Sequence, residues 1–217
     1  MRLARLKRVI EGIPPIPDPR VDLEQYTSPP EIALAIASHL VNSTNIDGAT
    51  IADLGAGTCR LSIPLLLLGA GRVVAVDIDG RLAPLCIGAA EDLGVGGGLQ
   101  YIVSAIRRRG PLAGCSVDIV VTNPPFGVHR RGADWEVLSH ALEASRDRVY
   151  AVVKSGNIDY HARVARRYGY NTGLVATRWF PIPASMEMHR SRVRRVRVDV
   201  ILFEREDGCT RRGAGSG

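Results

Sequence analysis

The feature that most constrains this chain is an alternation that begins at residue 50. Short apolar runs take turns with longer stretches whose apolar residues recur at helical spacing. "TIADLG" (50–55) leads to "RLSIPLLLLGA" (60–70), and "RVVAVDID" (72–79) to "GRLAPLCIGAAEDLG" (80–94). "LQYIVSA" (99–105) is a weaker strand and "VDIVVTN" (117–123) a strong one, followed by a helical "DWEVLSHALEASRD" (134–147). "RVYAVVK" (148–154) precedes a last helix, "IDYHARVARRYGY" (158–170). Strands that read as near-continuous apolar runs between helices predict an α/β fold, with a mostly parallel sheet covered on both faces. The tail departs from this pattern. "GLVATRWFPI" (173–182) and "RRVRVDVILFER" (194–205) have only a loop between them, so the seven-stranded sheet should end in an antiparallel hairpin.

Ahead of the alternation, Leu3, Leu6, Val9 and Ile10 have helical spacing, and "IPPIPDPR" (13–20) is too rigid for an element. Residues 1–22 are therefore expected to be a helix and a proline-rich arm on the surface. In "SPPEIALAIASHLV" (28–41), Pro29 and Pro30 suit a helix start, with Glu31 in its first turn. With 217 residues, no repeat and no second core, residues 1–217 are expected to form a single domain with a flexible tail at 206–217. The apolar runs are too short to span a bilayer, and the basic N-terminus lacks the apolar core of a signal peptide. Cys59, Cys86, Cys115 and Cys209 show no C-x-x-C spacing, which predicts reduced thiols in a cytoplasmic protein and no metal site.

"ADLGAGTCR" (52–60) sits where an open α/β sheet binds nucleotides, between a strand end and a helix. Arg60 stands where a dinucleotide fingerprint needs its third glycine, and no Gly-Lys-Ser/Thr follows, so neither that motif nor a P-loop is present. What remains is D-x-G-x-G. Asp53 ends the strand, and Gly55 and Gly57 let backbone approach a ligand closely. Asp77 ends the second strand, where a carboxylate can take both hydroxyls of a ribose. S-adenosylmethionine suits this pair: it offers an ammonium and a ribose, and no pyrophosphate.

"TNPPFG" (122–127) follows the strand expected beside the first one, and so faces the same cleft. An amide or aromatic amine is flat and a poor nucleophile because its lone pair is delocalised. The Asn123 side-chain oxygen and the Pro124 carbonyl can hold its two N–H groups and favour the developing tetrahedral nitrogen. Pro124 and Pro125 fix those acceptors in place. Phe126 offers a face for a flipped base.

D-x-G-x-G followed by Asn-Pro-Pro-Phe resembles the amino-methyltransferases of class I Rossmann-like fold. More closely, the chain is similar to the methyltransferase-like five family, adenine-N6 methylases of small-subunit ribosomal RNA. "LEQY" (23–26), "DLGAGTCRLSI" (53–63), "LGAGRVVAVDID" (68–79), "NPPFG" (123–127), "VYAVVKS" (149–155) and "PASMEMHR" (183–190) carry the resemblance. It implies that Gln25 and Ser28 touch the cofactor, that Gly55, Thr58 and Arg60 line its methionine side, and that Asp77 holds the ribose. Asn123 would serve both cofactor and target. It also implies a small zinc-bearing activator subunit, docked at the exposed sheet edge beside the glycine loop. Two positions depart from the family pattern. Cys59 replaces a third glycine, and Ala105 stands where an acid usually meets the adenine amine.

The net charge of +6 favours a polyanionic partner, and of the 28 basic residues only Lys7 and Lys154 are lysine. Arg130 and Arg131 follow the catalytic loop, Lys154 ends the next strand, and "HRSRVRRVR" (189–197) contains His189, Arg190 and Arg192. Together they predict a basic rim that holds RNA. His39 and His140, on apolar helices, are expected to be structural. DNA adenine or protein glutamine N-methylation would use the same loop, although the glutamine enzymes carry Tyr where this chain has Phe126. A non-catalytic RNA-binding ribosome-assembly factor is the remaining alternative.

Overall fold

Runs of Val, Ile and Ala that leave no polar face must be covered on both sides, and the strands of the chain are covered in that way. In a computed structural model, described for all residues except 1–2, 108–109, 128, 131, 184–192 and 208–217, seven strands form one sheet. They are β1 (Thr50–Leu54), β2 (Arg72–Asp77), β3 (Leu99–Val103), β4 (Val117–Thr122), β5 (Ser145–Lys154), β6 (Tyr170–Pro183) and β7 (Val193–Arg205). Their order is β3-β2-β1-β4-β5-β7-β6. The first five pair in parallel, while β7 runs antiparallel to both β5 and β6. Strand order reverses between β1 and β4, where Leu54 pairs with Thr122. The crevice beyond those two strand ends is the place such a sheet offers a ligand.

The helices are α1 (Leu3–Gly12), α2 (Pro30–Ser43), α3 (Ser62–Leu67), α4 (Ala83–Asp92), α5 (Ala133–Ala144) and α6 (Ile158–Ala165). On one face, Leu6 and Ile10 of α1 and Ile32, Ile36 and Leu40 of α2 pack on Ile51, Val73, Tyr150 and Phe180. On the other, Leu138, Ala141 and Leu142 of α5 pack on Val120, Val149, Ile201 and Phe203. The proline arm is mostly exposed, but Ile13 anchors it in a third cluster with Cys59, Ile63 and Cys86.

β5 begins at Ser145, inside the stretch expected to finish a helix. The buried Ser145 hydroxyl donates to the carbonyls of Asp118 and Arg148, and β4 shifts register between Val117 and Ile119 to meet it. The cysteine expectation is corrected: Cys59 and Cys86, both fully buried, form a disulfide with Cα atoms 5.2 Å apart. Cys115 is disulfide-bonded as well, and Cys209 lies outside the described residues. The pairing joins the glycine loop to α4, a contact made by the fold and invisible in local spacing. His39 and His140 both bond within the fold, to the Tyr150 hydroxyl (2.8 Å) and to the Leu112 amide (3.4 Å). Among the described residues no helix is long and apolar enough to cross a membrane.

Candidate active site

β1 delivers the chain into a turn with left-handed backbone at Gly55 (φ +79°), Gly57 (φ +55°) and Cys59 (φ +68°). The Gly55 and Ala56 amides donate to the Val76 carbonyl at 2.8 and 3.0 Å, which draws the turn across the end of β2. There the Gly57 amide donates to Asp77 Oδ2 (2.8 Å) and the Asp79 amide to Oδ1 (2.9 Å). Asp77 lines the cleft and is 8% exposed, and its burial raises its pKa. Each oxygen accepts one backbone N–H and keeps acceptor capacity for a ligand, as a ribose diol requires.

Asp53 is placed differently from Asp77. It is fully buried behind the turn, accepts from the Ser62 hydroxyl (2.6 Å) through Oδ2, and does not line the cleft. Burial pushes its carboxyl up to about 7, and the nearby Asp77 charge adds to the rise. Its Oδ1 has no partner.

Gly55, Gly57, Thr58 and Arg60 all line the cleft. Thr58 and Arg60 also pin the N-terminal arm over the turn. The Thr58 hydroxyl donates to the Pro14 carbonyl (2.7 Å) and the Arg60 guanidinium to the Ile13 carbonyl (2.6 Å). Gln25, also in the lining, donates to Asp79 (2.9 Å) and accepts the Arg20 amide (2.8 Å). Ala105, where the resemblance implied an acid, borders the cleft and brings none to it, and the Ser104 hydroxyl donates to the Ala105 carbonyl (3.4 Å).

Across the crevice, Asn123, Pro124 and Pro125 complete the lining. Asn123 donates from Nδ2 to the Ser28 hydroxyl at 3.0 Å, which fixes which end of its amide faces away. Its Oδ1 is buried and has no partner. Buried acceptors are rarely left unmade, and this one belongs to the residue expected to receive an amine.

Phe126 is 9% exposed and does not line the cleft. It stacks on Tyr26 (centroids 6.3 Å, 20° between planes) and meets Phe180 edge-on at 5.7 Å. The free stacking face expected of it is therefore taken up by the core, and Tyr26 is the aromatic that reaches the cleft wall.

Sequence reasoning missed Glu24. It lines the cleft at 6% exposure, accepts the His129 amide through Oε1 (2.8 Å), and leaves Oε2 without a partner. The signal was present in "LEQY", where only Gln25 was read as functional.

Of the expected RNA contacts, Arg130 stands at the cleft and pairs with Glu136 through bonds of 3.0 and 2.8 Å. Lys154 is exposed at the end of β5. Arg131, His189, Arg190 and Arg192 lie outside the described residues. Among the described residues no cluster of His, Cys, Asp or Glu is placed to hold a metal.

No protein-family model matches the chain. It is 30% identical over 206 residues to the rRNA N(6)-adenosine-methyltransferase Mettl5 of Drosophila melanogaster, spanning 94% of this chain and 97% of that one. The rRNA N(6)-adenosine-methyltransferase METTL5 of Danio rerio is 28% identical, spanning 94% and 99%. The crystal structure of PH1948 from Pyrococcus horikoshii, described as a candidate RNA methyltransferase, superposes with a TM-score of 0.84 at 29% identity, covering 94% and 98%. The magnesium protoporphyrin IX methyltransferase of Synechocystis, solved with S-adenosylmethionine bound, shares the fold alone, with a TM-score of 0.61 at 18% identity over 81% and 78% of the two chains. With a 30% identical relative matched along nearly its full length, the chain belongs to the methyltransferase-like five family.

Proposed function

We propose that the protein transfers a methyl group from S-adenosylmethionine to the N6 amine of an adenine in RNA, with small-subunit ribosomal RNA as the substrate. The observation that carries this is the unpaired, buried Oδ1 of Asn123, on an amide whose Nδ2 is fastened to the Ser28 hydroxyl. The cleft fits the cofactor. Asp77 has spare acceptors for a ribose, and Gly55 and Gly57 line the cleft beside it without side chains. When bound, the cofactor supplies an electrophilic methyl on a sulfonium. Asn123 Oδ1 and the Pro124 carbonyl accept the two N–H groups of the amine, which turns its lone pair out of conjugation with the ring. Pro124 and Pro125 hold the acceptors rigid, so little reorganisation accompanies transfer. Tyr26, on the cleft wall, offers the apolar surface against which the extruded base rests.

The names of the relatives favour ribosomal RNA over DNA or a protein glutamine, and we take residues 1–217 to be one methyltransferase domain that acts in the cytoplasm. A small zinc-bearing activator fits the outer edge of β3, which pairs with β2 alone among the described residues. Val103, the last residue of β3, is exposed there at 58%.

Tritiated methyl transfer to purified ribosomal RNA, followed by nucleoside mass spectrometry, tests the reading. Asn123→Ala should lower turnover by about 10²–10³, the worth of one such polar group. Wild-type turnover in that variant would reduce the loop to a turn and remove the assignment.

A further inference from the structure

Trp179 is 60% exposed on β6, the outer strand of the hairpin. It pairs across the strands with Arg197, and Pro181 pairs with Arg195. Cross-strand partners share a face, so one exposed patch carries an indole, a proline and two exposed guanidinium groups. Among the described residues no ring stacks on Trp179 and no cation sits over it. The nearest acid on that face, Asp199, is 7% exposed, engaged by the Ser155 and Thr177 hydroxyls at 2.6 and 2.7 Å, and offsets part of the Arg197 charge from below, so the two guanidinium groups outweigh one buried carboxylate. The patch therefore presents positive charge around a bare aromatic.

Its position ties it to the site. Lys154, at the end of β5, pairs with Val198, which pairs with Arg178. Trp179 thus lies one residue past the end of β5, at the end of the sheet where the catalytic loop emerges. Phe180, the next residue, touches Phe126 of that loop. Three strand spacings separate β6 from β4, roughly 14 Å, a distance an extended single strand covers in a few nucleotides.

We propose that Trp179, flanked by Arg195 and Arg197, is a stacking platform for an unpaired base of the RNA strand that leads into the cleft. Stacking on an exposed aromatic is tolerant of sequence, and guanidinium groups beside it take the flanking phosphates. An RNA strand suits this surface better than a protein, because its charge is uniformly opposite to that of the patch. The proposal rests on the methyltransferase reading and adds a second contact to it, outside the cleft.

The test uses the full chain with Trp135→Phe, which leaves Trp179 as the sole indole. Titration with a single-stranded RNA methylated by the wild type should quench Trp179 emission. Trp179→Ala should raise KM for that RNA about 5- to 100-fold, leave S-adenosylmethionine affinity at the wild-type value, and be largely rescued by Trp179→Phe. Arg195→Ala with Arg197→Ala should flatten the salt dependence of RNA binding. Efficient methylation with no quenching and an unchanged KM in Trp179→Ala would overturn the platform and leave the methyltransferase reading intact. A change in oligomeric state in place of RNA affinity would assign the patch to a second copy and overturn it too. No methyl transfer to any RNA by the wild type would remove both readings.

Discussion

Removing the Cys59–Cys86 bond has a consequence that can be worked out in advance. The bond closes a loop with a sequence separation of 27. In the chain-entropy account, a cross-link of that span removes about 12 cal/mol/K from the unfolded ensemble, or ~3.5 kcal/mol at 25 °C. Cys59 also has left-handed backbone, φ +68°, a conformation that only glycine adopts without strain. A non-glycine residue is strained there by about 1–2 kcal/mol. The cross-link and the strain therefore oppose one another at one residue. Cys59→Ala with Cys86→Ala should lose the full ~3.5 kcal/mol, and Cys59→Gly with Cys86→Ala only about 1.5–2.5 kcal/mol, because glycine relieves the strain. For a chain of this size these correspond to melting points lower by about 7–14 °C and 3–10 °C. Reductant alone would confuse the measurement, since Cys115 is disulfide-bonded too. Paired substitutions followed by urea unfolding isolate the bond. A double alanine variant as stable as wild type would refute the entropic argument. Equal stability of the two variants would refute the argument from backbone strain.

Asp77→Ala should weaken S-adenosylmethionine binding by about 1–3 kcal/mol in calorimetry, and unchanged affinity would remove Asp77 from the site. Phe126→Ala should lower stability by about 3–5 kcal/mol, because the ring is part of the core with Tyr26 and Phe180; a melting point equal to wild type would contradict that placement. The raised carboxyl of Asp53 gives a pH signature. The folded state keeps its proton up to about 7, while the unfolded chain releases it near its ordinary value of 3.8. The native state thus binds more protons between these values, and stability falls as pH rises through the window. Asp53→Asn should flatten that fall and melt higher than wild type at pH 8, and denaturation curves from pH 4 to 8 would show whether it does.

The parallel sheet and its reversed point were legible because both rest on local signals. Apolar runs identify buried strands, and the glycine turn and the Asn-Pro-Pro turn mark the ends of the two strands that flank the crevice. Contacts between distant segments were not legible. Cys59 and Cys86 carry no spacing that announces a bond, and only the stacking of α4 beside the glycine turn brings them together. Phe126 reads as a base platform in isolation, since nothing nearby in sequence reveals that Tyr26 and Phe180 will claim its faces. Glu24 was hidden for the opposite reason. It sits beside a residue with an evident role, and its importance comes from a backbone amide 105 positions away.

These long-range contacts converge on one loop, which explains how so short a motif is held to catalytic precision. Asn123, Phe126 and His129 are each fastened by segments that are remote in sequence. Ser28 takes the amide end of Asn123, Tyr26 and Phe180 clasp Phe126, and Glu24 takes the His129 amide. Three of the four fasteners come from residues 24–28, directly after the arm that Thr58 and Arg60 pin across the glycine turn. The fourth stands on β6, which runs in the same direction as β5 because antiparallel β7 lies between them, and so carries Phe180 to the end of the sheet where the loop emerges. A seventh strand parallel to its neighbours would have needed a crossover connection in place of the hairpin. The N-terminal segment and the C-terminal hairpin, the two parts outside the βα alternation, are thus what immobilise the acceptors. The alternation builds the crevice, and the departures from it make one side of that crevice rigid enough to hold a flat amine.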